Sequence, residues 1–382
     1  MIVNNRKFRW DPYVMVKNQD FEPFWESHLK PKKKVLFILG KGFDCRMNLA
    51  IEKIAAVKAD SSIDCLLVEF EEGKNSSSHK YKAEVTKNLA ELQKIISTIN
   101  SKSIKLWDGS GRKKRRIGSR QASENIICDF KDLEEYSEII VDISSLPRGV
   151  YFSLIGKILY LLDRHDTKHE KNFFVIVAEN AAIDSQIKES GIDDDLDYLM
   201  GFGGRLDLSE DTPIIWLPIL GEDKKSHIEK AFNFIDPDEL CPILPFPAKN
   251  PRRGDKMIID YHQLLFDEML VEPQNIMYVS EQNPFDVYRK LCSTIIHYKQ
   301  SMQTLGDCRA ALTSFSSKLL SIGALLAAYE LNNPIDGVEK IGVGVVNVDS
   351  QGYEIDDINS LNNLKKESEL FVIWLSGDPY ND

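Results

Sequence analysis

A chain of 382 residues with 43% hydrophobic and 28% charged residues has apolar material for two cores of ordinary size, which excludes wholesale disorder. Its formal net charge of -11 excludes a protein that coats nucleic acid over its whole surface, because neutralising phosphates takes concentrated Lys and Arg; only a local basic groove remains open. Six cysteines at 45, 65, 128, 241, 292 and 308 are too widely spaced for a zinc site, and several lie in apolar segments, so they read as reduced, buried hydrophobes.

In chain order, residues 1–33 bring Phe8, Trp10, Tyr13, Phe21, Phe24 and Trp25 without clear period and are expected to form an arm packed on a first domain, 34–183. That domain repeats one grammar: a short run of Val, Ile, Leu and Phe, a polar loop, then an amphipathic helix. Strands are expected at 35–39, 65–70, 104–107, 139–143 and 173–178. Segment 184–212, with an acidic cluster at 193–195 and Gly201, Gly203 and Gly204, has little core character and reads as a linker or flap. A second domain, 213–382, repeats the grammar with strands at 214–220, 243–246, 276–279, 309–313, 341–348 and 370–375, the last two expected to pair as an antiparallel edge. The apolar-rich segments 151–162 and 319–331 are interrupted at helical spacing and read as buried helices. Near-continuous apolar strands fit sheets covered on both faces. The expected fold is therefore α/β, two Rossmann-like domains with mainly parallel sheets flanked by helices. No sequence repeat links the halves.

In open parallel sheets, ligands bind beyond the carboxyl ends of the strands, where helix N-termini offer free N–H groups. Four polar loops stand there. In the first, Gly40 and Gly42 permit a tight turn and close approach, Lys41 and Arg46 can meet an anion, and Asp44 is either part of the site or a helix cap. The pattern is neither the three-glycine dinucleotide fingerprint nor a P-loop. In the second, Asp142, Ser144, Ser145 and Arg148 surround Pro147 ahead of a helix, the makings of an anion or ribose site. The structural alternative has Ser145 capping the helix and Arg148 pairing with Asp142. In the third, 245–255, prolines stiffen a loop bearing Arg252 and Arg253, which suits bidentate contact with phosphate or carboxylate, or simple pairing with Asp255. In the fourth, Ser316, Ser317 and Lys318 open an apolar helix; a cation at a helix N-terminus is unfavourable unless an anion joins it, while serine caps are common.

The run Val141-Asp142-Ile143-Ser144-Ser145 resembles the strand-end motif of CRISPR-associated Rossmann-fold (CARF) ligand-sensing domains and related prokaryotic defence proteins. The resemblance covers this motif and its strand–helix unit. Those domains follow the aspartate with hydroxyl and glycine residues and then lysine, where this chain has Leu146, Pro147 and Arg148. It implies a nucleotide-like ligand and a role as sensor or subunit in antiviral defence.

Other features complete the reading. The segment 108–120 holds five consecutive basic residues, 112–116, flanked by Gly and Ser; the basic loop 112–120 is expected to contact nucleic acid or a protein partner, with Arg116, Ser119 and Arg120 as lid residues, or to be simply solvated. His165 and His169 have metal-compatible spacing but lack a metalloprotease motif, and no metal is implied. Were the protein an enzyme acting on a nucleotide or phosphorylated metabolite, Asp142, Glu179 or Glu281 is the candidate general base; Asn180 and Glu222 share their strand-end placement. A non-catalytic scaffold subunit is the third reading. No signal-peptide core and no run of 18 apolar residues appears, so a cytoplasmic protein outside the membrane is expected. A homo-oligomer is compatible with all of these readings.

Overall fold

The computed structural model describes residues 7–71, 77–109, 115–166, 170–192, 196–204, 212–305, 307–334, 340–355 and 357–381. The chain divides into a first unit, Tyr13–Asp195 with Asp349–Asp382, and a second unit, Met1–Pro12 with Leu196–Val348. Both are α/β, with mostly parallel sheets flanked by helices.

The first unit contains β1 (Val14–Lys17), β2 (Lys34–Gly40), β3 (Ser62–Glu71), β4 (Ile99–Lys105), the short β5 (Trp107–Asp108) and β6 (Arg115–Arg116), β7 (Glu138–Asp142), β8 (Asn172–Glu179) and β9 (Ile187–Ile192), joined by β17 (Ser350–Ile355) and β18 (Glu369–Ser376) from the end of the chain. Its seven-stranded sheet runs β1-β18-β8-β7-β2-β3-β4. The five strands from β8 to β4 are parallel, while β18 and β1 are antiparallel additions. Parallel neighbours need crossovers, supplied by α2 (Leu49–Val57), α3 (Lys82–Ile95), α4 (Gly118–Asn125) and α5 (Arg148–Asp163). Alternation along β2 sends Val35, Phe37 and Leu39 into one core with Cys65, Ile140, Phe174 and residues of α2 and of α1 (Phe21–His28). Leu36 and Ile38, on the opposite face, are also buried. Burial on both faces is why these strands read as continuous apolar runs.

The second unit contains β10 (Asp197–Gly203), β11 (Ile214–Ile219), β12 (Glu239–Leu240), β13 (Ile243–Pro245), β14 (Met277–Val279), β15 (Arg309–Ser314) and β16 (Val343–Asn347), with α7 (Lys225–Ile235), α8 (Arg253–Asp260), α9 (Pro284–Met302) and α10 (Lys318–Asn332). Its sheet runs β10-β16-β15-β11-β13-β14. The five strands from β16 to β14 are parallel, and β10 is antiparallel. In both units the first parallel strand is central, the second and third lie to one side, and the fourth and fifth to the other. An antiparallel strand then covers the fifth. This common plan is a property of topology that no sequence repeat announced. Residues 319–332 of α10 are all buried, as are 149–155 of α5, and no helix among the described residues is long and apolar enough to cross a membrane.

Three expected boundaries differ. Strands β16 and β18 do not pair: β18 lies in the first sheet, with Leu370–Trp374 opposite Ala178–Phe174. The physical reason is that β8, apolar over 173–178, is costly to leave as a sheet edge, and β18, apolar over 370–375, covers it before the shorter β1 takes the margin. Segment 184–212 is not simply a linker, since it supplies β9, which pairs with β17, and β10; its acidic cluster 193–195 lies outside the described residues. The arm, finally, is divided. Val14–Lys17 pairs with β18, whereas Trp10 is fully buried in the second unit near Tyr288 and Tyr329, at centroid distances of 5.3 and 6.5 Å. Arg9 lies 3.6 Å from the buried carboxylate of Glu330, and Arg289 pairs with Asp11 at 3.3 Å.

At the amino end of the first sheet, Glu138 is fully buried and is held by His28 at 2.7 Å and Lys33 at 2.9 Å, with Asn172 at 3.3 Å. This cluster ties the helix α1 and the approach to β2 onto β7. Replacing Glu138 by Ala leaves the partly buried His28 and Lys33 without their anion, and is expected to cost about 1–3 kcal/mol in denaturant unfolding; a loss under about 1 kcal/mol would show that the cluster is not what docks α1.

Candidate functional site

The strand order reverses between β2 and β7, which places loop 40–46 beside loop 142–148 at the carboxyl edge of the sheet. The contact is close because Gly40 has no side chain: a Cβ there would lie 2.9 Å from both the Ser145 carbonyl oxygen and Leu146 Cδ2. Ser145 Oγ donates to the Gly40 carbonyl at 2.7 Å. Neighbouring Ser144 turns inward. Its N–H and its hydroxyl both donate to Asp142 Oδ1, at 2.9 and 2.5 Å, while its oxygen accepts from Ala178 N at 2.9 Å. Asp142 and Ser144 are buried and organise the edge shared by β7 and β8. Pro147 precedes α5 with no side-chain cap, so Ser145 is not the cap that the structural alternative required.

The cations of this edge carry their own anions. Arg46 is buried in a pair with Asp44 and Asp184, its Nη2 2.8 Å from each, and Nη1 donates to the Ala178 carbonyl at 3.2 Å. Burial opposes its charge, but the two carboxylates more than offset this and leave the guanidinium firmly protonated. Burial opposes the charge of Arg148 as well, and Tyr151, Glu189 and Asp349 counter it. Lys41 pairs with Glu69 at 2.9 Å, and both side chains stay partly open to water, at 29% and 34% exposure. Asn88 of α3 pins the loop by donating to the carbonyls of Gly42 and Asp44, each at 3.0 Å. Sequence reasoning missed Glu69, Asn88, Asp184, Glu189 and Asp349, which come from distant segments and have no local pattern. Glu179 lies opposite Glu369 of β18, while Asn180 caps the short helix α6 (Ala181–Asp184) through Ala182 N and Ile183 N.

The second unit reverses between β11 and β15. There Gly221 is still more tightly enclosed, since a Cβ would fall 2.0 Å from the Phe315 carbonyl oxygen. Ser317 caps α10 by accepting from Leu320 N at 3.3 Å, Ser316 is buried and Lys318 is half-buried at the helix start. The two arginines of the third loop separate. Arg253 bridges Glu222, at 3.3 Å, and Glu281, which also accepts from Lys249 N at 2.6 Å, whereas Arg252 is exposed and its N–H donates to Asn250 Oδ1. Thus Arg253 has two carboxylates, neither of them the expected Asp255.

Residues 112–114 of the basic loop and His169 lie outside the described residues. Arg116 lies over the Trp107 ring at 4.9 Å and pairs with Asp349 at 2.7 Å, while Arg120 pairs with Glu124 on the exposed face of α4. Ser119 is partly buried in that helix. His165 stacks on Phe130. Among the described residues no His, Cys, Asp and Glu side chains cluster as a metal centre.

No protein-family model matches the sequence, and no curated protein matches it. Solved structures with some likeness include a protein described as a universal stress protein from Pseudomonas aeruginosa UCBPP-PA14, at 11% identity and a TM-score of 0.23, covering 89% of this chain and 99% of that one. Another is UDP-GlcNAc 2-epimerase from Neisseria meningitidis, at 11% identity and 0.20, covering 74% and 77%. A third is phosphoethanolamine N-methyltransferase 1 from Haemonchus contortus, at 8% and 0.19, covering 94% and 92%. At such scores the likenesses carry no argument about function.

Two outcomes follow from the packing. Gly221→Ala forces a methyl into a backbone carbonyl and is expected to lower stability by about 1–3 kcal/mol, more than Gly40→Ala, where part of the clash is with the movable Leu146 side chain; equal losses would contradict the geometry. Burial pushes the Cys45 and Cys241 thiols up to about 11 and Cys65 up to about 12. Their thiolate fraction at pH 8 is on the order of one in a thousand or less. The exposed Cys128 is therefore expected to be the one fast-reacting thiol in native alkylation followed by peptide mapping.

Proposed function

We propose that the first unit binds a nucleotide-like, phosphate-bearing ligand at the carboxyl edge between β2 and β7. The observation that carries this reading is the strand order, β4-β3-β2-β7-β8 with all five parallel. Such a reversal opens the edge where α/β sheets take ligands, beside a helix N-terminus. The sensor or defence-subunit role implied by the resemblance of 141–145 belongs to the same proposal, with ligand occupancy as the signal.

Burial divides the labour among the residues. Arg46, Asp44, Asp142 and Ser144 hold the loops. Lys41 is the cation best placed to change partners: its pair with Glu69 is partly solvated, and such pairs contribute only about 0–1 kcal/mol, so a phosphate making a charge-assisted hydrogen bond can displace the carboxylate. Gly42, Ser145 and the first N–H groups of α5, with Arg148 beside them, complete the proposed contacts. Binding is favoured over turnover because Asp142 and Glu281, two of the carboxylates weighed as general bases, already accept hydrogen bonds that order their loops.

A nucleotide panel read by thermal shift and native mass spectrometry tests this. A true ligand at 100 times its Kd stabilises the protein by about 2.7 kcal/mol. Lys41→Ala is expected to abolish that stabilisation while leaving the unliganded protein within about 1 kcal/mol of wild type. Arg46→Ala is expected to destabilise the unliganded protein itself by roughly 3–5 kcal/mol, since it leaves Asp44 and Asp184 without their cation. A panel that produces no retained mass and no shift overturns the proposal.

A further inference from the structure

We propose that the second unit carries a stacking shelf for single-stranded nucleic acid, formed by Phe246 and Tyr278 and flanked by Arg252 and Lys256. This surface is independent of the β2–β7 edge and of the basic loop 112–120.

Phe246 immediately follows β13, and Tyr278 lies on β14, the last strand at that side of the sheet. The register sets Leu244 opposite Tyr278. Strand alternation turns Phe246 to the same face as Leu244, so the two rings become diagonal neighbours. Their centroids are 6.2 Å apart at 78°, and the residues remain 55% and 46% exposed. Burying such a side chain is ordinarily worth about 1.5–3 kcal/mol, yet the fold leaves much of both in water. The platform is also rigid. Phe246 N donates to the Val279 carbonyl at 2.6 Å, Glu281 N donates to the Pro247 carbonyl at 3.0 Å, and prolines at 245, 247 and 251 stiffen the loop.

The nearby charges complement a phosphate backbone. Arg253 is neutralised by Glu222 and Glu281, but Arg252 and Lys256 are exposed and make no ion pair among the described residues. They stand four apart at the start of α8, a spacing that puts them on one face, and a helix N-terminus disfavours cations. The backbone of α8 begins beside the root of Phe246: a Cβ on Gly254 would be 3.6 Å from the Pro245 carbonyl oxygen. Segment 246–260 carries Lys249, Arg252, Arg253 and Lys256 against Asp255 and Asp260, a positive stretch within a chain of net charge -11.

Exposed rings beside unpaired cations suit a strand better than a free nucleotide. Small-ligand sites bury most of their ligand in a concavity, whereas a strand gathers affinity from base stacking on aromatic faces and from phosphate contacts. With about two phosphates neutralised, affinity is expected to fall roughly sevenfold between 50 and 200 mM salt.

The test is fluorescence anisotropy of the full chain with labelled 20-mers of oligo(dT) and oligo(rU). Phe246→Ala and Tyr278→Ala are each expected to weaken binding about tenfold, Phe246→Trp to retain it, and the double change Arg252→Glu with Lys256→Glu to remove it. Absence of binding to both oligomers at 50 mM salt, binding untouched by Phe246→Ala, or loss only when residues 112–116 are neutralised overturns the proposal. Competition by dTMP as effective as by the 20-mer also overturns it, by making the ligand a mononucleotide. Photo-crosslinking of a bromodeoxyuridine 20-mer to the wild-type protein gives a readout that no variant's folding can confound; crosslinks in 246–260 or 277–283 support the shelf, and crosslinks confined elsewhere refute it.

Discussion

The close approach of two loops at a strand reversal is the constraint on which the rest of each unit depends. When the first parallel strand is central, the chain fills one side of the sheet and then returns to fill the other, so the loop leaving the first strand meets the loop leaving the fourth. A side chain between them would hold them apart. Gly40 and Gly221 supply its absence, and behind them Ser145, or the backbone of Phe315, closes the contact. The Asp142–Ser144 hydrogen bonds then fix the end of β7, and the Ser144 bond to Ala178 N joins it to β8. The largely buried helices α5 and α10 can start in register only because these ends are already set.

That closeness decides the electrostatics. Charges brought near a packed sheet edge lose water and must be compensated by other charges or hydrogen bonds. Arg46 has Asp44 and Asp184, Arg253 has Glu222 and Glu281, and Arg148 lies in the field of Glu189 and Asp349. The basic residues of the loops therefore form two populations. One stiffens the edge and is costly to remove. The other, including Lys41 in the first unit and Arg252 in the second, remains near water and free to exchange partners at little cost. Type and position in the sequence do not separate these populations; Arg252 and Arg253 are adjacent and belong to different ones.

The sheet-forming runs were legible because burial on both faces writes itself into sequence as consecutive Val, Ile, Leu and Phe, and the predicted strands 35–39, 139–143, 173–178 and 214–220 all lie within or overlap observed ones. The polar loops at their ends were legible for the same reason, as interruptions of that pattern. Partner choice was not. The run 370–375 looks equally suited to either sheet, and it joins β8 because a bare apolar edge there is the costlier alternative. Trp10 and Val14 are four residues apart, yet one belongs to the second unit and the other to the first sheet. The surroundings of Arg148 were illegible for the same reason, since Glu189 and Asp349, which act on its charge, lie at opposite ends of an excursion through the second unit.

The sequence by itself determined that this protein is α/β, where most of its parallel strands begin and end, and which loops stand at their carboxyl ends, because hydrophobic runs and turn residues are local signals of burial and reversal. Only the tertiary structure decided that both sheets share one strand order, that Ser144 faces inward while Ser145 ties two loops together, and which cations are already matched. Those outcomes rest on contacts between residues tens to hundreds of positions apart, and the desolvation that gives such contacts their sign exists only once the chain is packed.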